Sequence, residues 1–163
     1  MTRGTASRKW MRGFTLMELV VALTIGVLLV GLGGPMAARM YETMQYRDAV
    51  RGLSTAASGA RLRAMNGGQA VDLMVEPDAH RYAVQRAETA FDRDQARSLD
   101  DALTLGVVSA RQLVAEQGVA VIRFYPDGSS TGGSITVRRD SGQGVRLRVD
   151  WLLGRLTHEP VES

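Results

Sequence analysis

The chain has 163 residues, which is enough for one globular domain with an appendage. Hydrophobic residues make up 45% of the chain but aromatic residues only 6%, so a core must be built mainly from aliphatic side chains. There are no cysteines, which excludes disulfides, thiolate metal sites and cysteine nucleophiles.

The net charge of +3 is distributed unevenly along the chain. Arg3, Arg8, Lys9 and Arg12 precede residue 14, with no acidic residue among them. Removing residues 1–13 takes away four of the 20 basic side chains and leaves 16 against 17 acidic ones, a net charge of −1. The basic character therefore belongs largely to an amino-terminal leader.

An uncharged apolar segment runs from residue 19 to residue 38. As a helix with a rise of ~1.5 Å per residue it spans roughly 30 Å, the thickness of a bilayer core. The four cations before it predict a cytoplasmic amino terminus. We interpret residues 14–38 as a transmembrane and assembly helix. The alternatives are a secretory signal peptide cut near Met36-Ala37-Ala38 and an ordinary signal anchor.

The hexapeptide Gly13-Phe14-Thr15-Leu16-Met17-Glu18 stands where the basic leader meets the apolar segment. It resembles the processing signal of type IV pilins and type II secretion pseudopilins. That resemblance implies a leader of residues 1–13, which the prepilin peptidase removes by cutting between Gly13 and Phe14. It also implies that the new amino terminus at Phe14 is methylated and that Glu18 is the acidic residue at mature position five.

Glu18 is a carboxylate at the edge of an apolar helix. Such a group costs on the order of 2.5–3.5 kcal/mol at the bilayer centre, and less near the interface, so a functional role is the default hypothesis. Cleavage creates an amine at Phe14, roughly one helical turn away. We expect Glu18 to set register during assembly by pairing with an amine in its own subunit or in a neighbour. The alternative is a glutamate that lies at headgroup level where the helix enters the membrane.

A proline late in the apolar segment interrupts the expected hydrogen bonding. Pro35 follows Gly31, Gly33 and Gly34. Proline removes one helical hydrogen bond and clashes with the preceding turn, so a kink or local melting is predicted here. The alternative is that the membrane helix simply ends at this point.

An amphipathic continuation of the helix is predicted over residues 39–66. One buried face is indicated by Val50, Leu53, Ala57, Ala60 and Ala64. Met36, Met40 and Met44 lie in line with this face, and we expect them to pack in the core. Asn66-Gly67-Gly68 predicts the end of a helix that runs from residue 14 to about residue 65.

After residue 68 the apolar period changes to two, which predicts a β-rich domain over residues 67–163. The resemblance to pilins and pseudopilins implies that this domain is periplasmic. Candidate strands are residues 69–75, 81–86, 103–108, 119–125, 134–139, 145–151 and 155–158. Residues 91–101 are polar and are interpreted as a surface loop or a short helix. The predicted fold class is α+β, with a long amino-terminal helix packed against a carboxyl-terminal antiparallel β-sheet domain.

A second motif lies near the carboxyl end. It consists of Phe124-Tyr125-Pro126-Asp127-Gly128-Ser129-Ser130-Thr131-Gly132-Gly133, followed by Val149-Asp150-Trp151-Leu152-Leu153-Gly154-Arg155. These residues resemble the GspH/FimT-type minor pseudopilins. The resemblance implies a structural subunit at the tip of a periplasmic pseudopilus that supports export of folded proteins. The partners implied are other major and minor pseudopilins, the inner-membrane secretion platform and membrane lipid.

The same resemblance leaves a second hypothesis, because FimT-like minor pilins of type IV pili bind DNA during natural transformation. A basic stripe is formed in the sequence by Arg138, Arg139, Arg146, Arg148 and Arg155. Phosphate contacts from such a stripe make affinity strongly dependent on salt. Asp140, Asp150 and Glu159 lie among these arginines and weaken the hypothesis.

Other chemistry receives little support. The Gly-rich residues 127–133 lack a Gly-Lys-Ser/Thr ending and predict a strand-connecting turn rather than a phosphate loop. Asp92, Asp94, Asp100 and Asp101 have no EF-hand spacing, and calcium binding by this loop is left open. His80 and His158 have no partner at metal-ligand or catalytic spacing. We therefore expect no enzymatic activity, no metal site and no cofactor.

Overall fold

The computed structural model describes residues 14–109 and 118–161, and within the first range it leaves out the side chains of residues 30–39. Gly13 and the predicted leader lie outside the described residues. The chain divides into two units between Met40 and Tyr41. The first unit contributes the amino-terminal part of a helix, and the second contains the remainder of that helix and the β-structure.

The helix α1 spans Leu16–Gly67. Gly68 follows with a φ of 63°, a left-handed conformation in which helices commonly end and which glycine adopts without a Cβ clash. The predicted end at Asn66-Gly67-Gly68 is confirmed. The helix is continuous through residues 30–39, so the local melting expected at Pro35 is not seen. Within the part of the chain that the structure describes, no helix is long and apolar enough to cross a membrane.

Among the residues that the structure describes, eight strands follow α1 and form two antiparallel sheets of four strands each. The first sheet has the order β3-β2-β1-β5 and the second has the order β4-β6-β7-β8. The strands are β1 (Val71–Glu76), β2 (Arg81–Arg86), β3 (Arg97–Ser98), β4 (Thr104–Ser109), β5 (Ala120–Phe124), β6 (Gly133–Arg138), β7 (Gly144–Val149) and β8 (Leu156–Val161). Seven of them match the predicted strands: the bounds of β2 coincide with the prediction, and those of the others differ by at most three residues.

The main core lies between α1 and the inner faces of both sheets. On α1 it is built from small and aliphatic side chains, namely Ala49, Leu53, Ala57, Ala60 and Ala64. Their size lets the sheets approach the helix closely, and Gly52 allows the Tyr82 hydroxyl to come within 2.7 Å of the position that a Cβ would take. The sheets contribute Leu73, Ile122, Phe124, Ile135 and Leu147.

Two details of the predicted helix face are corrected. Ala49 is buried in the core, whereas Val50 is half-buried at its margin. Met40 and Met44 are exposed, so the expected core role of these methionines is wrong. These methionines would be buried only if the sheets extended along the whole helix. The buried face of α1 instead begins at Ala49. The Met36 side chain lies outside the described residues.

A second, smaller cluster covers the outer face of the first sheet. It consists of Met74, Ala83, Phe91, Val119 and Val121. Because both faces of this sheet are covered, β1 is buried at five consecutive positions instead of alternating. Residues 91–101 contain turns and the two-residue strand β3, and they form no helix.

Candidate functional site

The first candidate region is the amino-terminal apolar segment, residues 14–29. Every side chain in it is exposed, and Phe14 is 82% exposed. Glu18 is its one charged residue. A helix that is hydrophobic all round is stable only when protein or lipid covers it. The segment is therefore an exposed apolar surface of the kind that protein or lipid covers.

The start of α1 is capped by the predicted processing motif itself. The amide of Glu18 donates to Thr15 Oγ1 at 3.2 Å, and the amide of Leu19 donates to the Thr15 carbonyl at 3.2 Å. Thr15 is thus the N-cap residue, and Glu18 lies in the first turn, where a carboxylate interacts favourably with the helix dipole. The sequence signal for this cap is the Thr-x-x-Glu spacing of a capping box, formed by Thr15 and Glu18.

The Gly-rich motif forms the connection between β5 and β6, as predicted. Its first part is a tight turn in which the Gly128 amide donates to the Tyr125 carbonyl at 3.0 Å. The Ser129 hydroxyl and amide both donate to Asp127 Oδ1, at 2.6 and 2.9 Å. The hydroxyl contact is the main cause that lowers the pKa of Asp127 below its usual value. These carboxylate contacts stabilise the turn and leave no phosphate cradle.

The two halves of the carboxyl-terminal motif are joined to each other through Ser130. Its hydroxyl donates to the Asp150 carbonyl at 2.9 Å, and its amide donates to the Trp151 carbonyl at 2.8 Å. Arg61 of α1 adds a bond from Nε to the Gly128 carbonyl at 3.1 Å. The motif therefore positions the β7–β8 turn, residues 150–155, against the helix.

Gly154 is required at the contact between these turns. Its φ is 56°, and a Cβ at this position would lie 2.5 Å from the Gly128 carbonyl oxygen. We expect Gly154→Ala to lower the free energy of unfolding by about 2–5 kcal/mol, because ~1–2 kcal/mol of left-handed strain adds to ~1–3 kcal/mol of overpacking. Urea unfolding of the full chain in detergent measures this value.

Gly68→Ala is the matched control for this prediction. Its φ is 63°, but no atom lies within 4 Å of the added Cβ, so only the strain of about 1–2 kcal/mol is expected. An equal loss of unfolding free energy in Gly154→Ala and Gly68→Ala would show that the contact with Gly128 does not contribute to stability.

Three of the five arginines of the predicted basic stripe share one surface. Arg138, Arg146 and Arg148 lie on the outer face of the second sheet, because Thr136 pairs with Arg146 and Ser134 pairs with Arg148 across β6 and β7. Arg148 Nη1 lies 3.6 Å from Glu159 Oε1 on β8. The surface is therefore basic but partly neutralised.

The other two arginines lie elsewhere. Arg139 follows Arg138 and points to the opposite face, where its guanidinium stacks on the Tyr46 ring at 4.7 Å from the centroid. Its Nη2 donates to Gln143 Oε1 at 3.2 Å. Arg155 is exposed in the β7–β8 turn. The structure thus brings together a group of three arginines instead of a stripe of five.

A buried ion pair lies outside every residue set that the sequence singled out. Asp72 on β1 and Arg123 on β5 are direct cross-strand neighbours, and Asp72 is only 1% exposed. Two hydrogen bonds join them: Arg123 Nε donates to Asp72 Oδ1 at 2.7 Å, and Arg123 Nη2 donates to Asp72 Oδ2 at 3.0 Å. The hydrogen bonds to Asp72 raise the pKa of Arg123 above its usual value, against the opposing effect of burial. The geometry of the Asp72–Arg123 pair is that of a structural ion pair between strands.

The acidic loop and the histidines have local structural contacts. Asp92 Oδ1 accepts hydrogen bonds from the amides of Asp94 and Gln95, and Asp100 Oδ1 accepts one from the amide of Ala102. No group of three or more potential metal ligands occurs among the described residues. The ring of His80 donates from Nε2 to the Leu103 carbonyl, and His158 Nε2 lies 3.0 Å from Ser54 Oγ.

The fold resembles that of known pilin-like subunits. The minor pseudopilin EpsH from the type 2 secretion system of Vibrio cholerae aligns with a TM-score of 0.52 at 11% identity, covering 72% of this chain and 97% of EpsH. The type IV minor pilin FimU of Pseudomonas aeruginosa aligns with a TM-score of 0.55 at 15% identity, covering 74% of this chain and 92% of FimU. The α+β architecture is therefore that of the pilin-like class.

Sequence similarity identifies the family within this class. The pattern of the family described as type II transport protein GspH matches residues 49–153. A relative, the type II secretion system protein H of Xanthomonas campestris pv. campestris, is 25% identical over 162 residues, covering 96% of this chain and 88% of that protein. The chain belongs to the GspH family of type II transport proteins.

Proposed function

We propose that this chain is a minor pseudopilin of a type II secretion system, a structural subunit at the tip of the periplasmic pseudopilus that supports export of folded proteins. The observation that carries the proposal is the match of residues 49–153 to the GspH family. The Xanthomonas relative supports it, because a match over 96% of this chain includes most of the amino-terminal segment. Other major and minor pseudopilins and the inner-membrane secretion platform are the partners.

We propose further that residues 14–38 anchor the precursor in the inner membrane, with a cytoplasmic amino terminus and a periplasmic globular domain. Two observations support this topology: the four cations before residue 14 and the exposed apolar side chains of residues 14–29. Lipid covers this surface before assembly, and parallel helices of other subunits cover it afterwards. Residues 39–66 continue the helix into the periplasm, where residues 67–163 complete the domain.

The chemistry of maturation follows from the motif at residues 13–18. The prepilin peptidase cuts after Gly13 and methylates Phe14, and the resulting amine lies roughly one turn from Glu18. The carboxylate then pairs with an amine in the apolar filament core, where the low dielectric makes an unpaired charge costly. Pro35 provides a kink that helps the subunit leave the bilayer.

DNA binding in a FimT-like minor pilin is the second candidate function. One observation favours it, the shared outer face of Arg138, Arg146 and Arg148 on the second sheet. Two observations weaken it: Glu159 lies beside Arg148, and Arg139 is held against Tyr46. The family match also bears the description of type II transport.

Deletion of the gene distinguishes the two functions. The secretion function predicts that exported proteins accumulate folded in the periplasm, that DNA uptake is unchanged, and that the full-length chain restores export. The measurement is enzyme activity of an exported protein in the medium and in the periplasmic fraction, beside transformation frequency. Normal export combined with loss of transformation would reverse the assignment.

A further inference from the structure

The β7–β8 turn presents three consecutive large apolar side chains to solvent. Trp151, Leu152 and Leu153 are 65%, 58% and 52% exposed. We call residues 151–153 the apolar turn. Exposed apolar surface of this kind, with a tryptophan in it, is typical of interaction sites in which a few residues supply most of the affinity.

The backbone of the apolar turn is held in place before any partner binds. Asp150 Oδ1 accepts the amides of Leu152 and Leu153 at 3.0 and 2.7 Å. The Gly154 amide donates to the Asp150 carbonyl at 2.9 Å, and the Ser130 amide donates to the Trp151 carbonyl. A preordered surface binds with a smaller loss of conformational entropy than a mobile loop.

The apolar turn lies at the carboxyl end of α1 and has basic neighbours. The Arg61 side chain lies 3.1 Å from the Cβ position of Gly154, and the Met65 sulfur lies 3.5 Å from that of Gly128. Arg155 is exposed directly after the turn. This end of the domain therefore combines an apolar projection with an exposed cation, Arg155, and a half-buried one, Arg61.

The opposite end of the same domain has the complementary character. A groove of about 110 Å³ lies between the first turns of α1 in this unit, the β3–β4 loop and the β6–β7 turn. It is lined by Tyr41, Glu42, Gln45, Asp100, Ala102, Leu103, Arg139 and Asp140. Its volume is of the same order as a ~150 Å³ cavity that accepts benzene. Three of its lining residues are acidic, and its arginine stacks on Tyr46.

The two surfaces are separated by most of the helix in this unit. Glu42 and Met65 are 23 positions apart in the sequence, which corresponds to roughly 35 Å at a rise of ~1.5 Å per residue. Subunits that pack with parallel, staggered helices bring the carboxyl end of one domain toward the amino-proximal end of the next. Such an interface is heterologous, because unlike surfaces meet.

We propose that the apolar turn is a docking surface for the amino-proximal groove of a neighbouring pilin-like subunit's globular domain. The inference rests on the proposed function for the parallel arrangement of the subunits. Leu152 and Trp151 enter a groove of the kind that this chain has beside Tyr41. Arg61 and Arg155 face its acidic margin, which is the charge complementarity that fixes register.

Site-specific photo-crosslinking in the bacterium that encodes the chain tests the docking surface. A photoreactive amino acid replaces Leu152 in the full-length chain, and adducts are mapped by peptide mass spectrometry. Replacing Leu152 keeps the hydrogen bond of its backbone amide to Asp150, and its side chain is 58% exposed. Val108, which is 69% exposed on the edge strand β4, is the matched control.

The expected result is an adduct from position 152 to the first residues of a pilin-like subunit's globular domain, with no such adduct from position 108. A second copy of this chain, joined near Tyr41, also satisfies the proposal. An adduct to an exported protein, an adduct to lipid or the absence of any adduct would overturn it.

A charge variant provides an independent readout. With the probe at position 153, Leu152→Glu places a carboxylate opposite the acidic groove. The adduct yield is expected to fall on the order of tenfold, as for loss of one central interface residue. An unchanged yield would contradict docking by this turn. Loss of export on gene deletion together with normal adduct yield in Leu152→Glu would leave the proposed function intact and refute only the docking surface.

Discussion

Glu18→Ala is expected to leave the chain in the inner membrane and to exclude it from the pseudopilus. Removing the carboxylate makes the segment more apolar, so membrane insertion becomes easier. Under the proposed register role, however, an amine at Phe14 loses its acidic partner in the filament core. Breaking a buried ion pair by removing one member costs about 3–5 kcal/mol, which corresponds to a loss of assembled subunit well above tenfold. The measurement compares the chain in the membrane fraction with the chain that copurifies with other pseudopilins.

Thr15→Ala is the control that separates register from helix capping. Thr15 accepts the Glu18 amide, so its loss frays the first turn at a cost of about 1 kcal/mol while the carboxylate remains. We expect Thr15→Ala to assemble at a level close to the unmodified chain. If both variants fail to assemble to the same extent, capping explains the motif and the register role of Glu18 is wrong. Normal assembly of Glu18→Ala would exclude that role as well.

Arg123→Met is expected to lower the free energy of unfolding by about 3–5 kcal/mol. The variant leaves Asp72 buried without either of its two charge-assisted hydrogen bonds. That loss is a large fraction of the total stability of a small domain, which is about 5–15 kcal/mol. Urea unfolding of the full chain in detergent gives the value from the shift in midpoint.

Two further variants test the origin of this loss. Arg148→Met removes an arginine whose ion pair with Glu159 is exposed on both sides, and a change within about 0.5 kcal/mol is expected. The double variant Asp72→Leu with Arg123→Met removes both charges and is expected to recover most of the stability. A loss in the double variant equal to that of Arg123→Met would show that packing of the arginine stem, and not the unpaired charge, dominates.

Local patterns were sufficient to predict most of the fold. The helix end at Gly68 follows from the left-handed backbone that glycine allows, and the strands follow from alternation and turn residues. The connection at residues 127–133 was predicted because a strand, rather than a helix, follows it. The small residues on α1 identified the core face, since alanine at helical spacing permits close packing against sheets.

Features that depend on distant contacts were not predictable. Asp72 and Arg123 are 51 positions apart, and only the pairing of β1 with β5 makes them neighbours. Strand β3 has two residues, too few for any periodic signal. Met40 and Met44 continue the helical period of the core, but nothing in their own sequence reveals that the buried face begins at Ala49. Arg139 does not share the outer surface of Arg138, because successive residues of a strand point to opposite faces of the sheet.

The mass of the mature amino terminus tests the central claim most directly. Mass spectrometry of the chain purified from the membrane of its own bacterium is expected to identify a protein that begins at Phe14 and carries one methyl group on its amine. The matched preparation is a strain without prepilin peptidase, in which residues 1–13 should remain attached. An intact Met1 in the normal strain, or an amino terminus created by a cut after Ala38, would contradict the assignment as a processed pilin-like subunit.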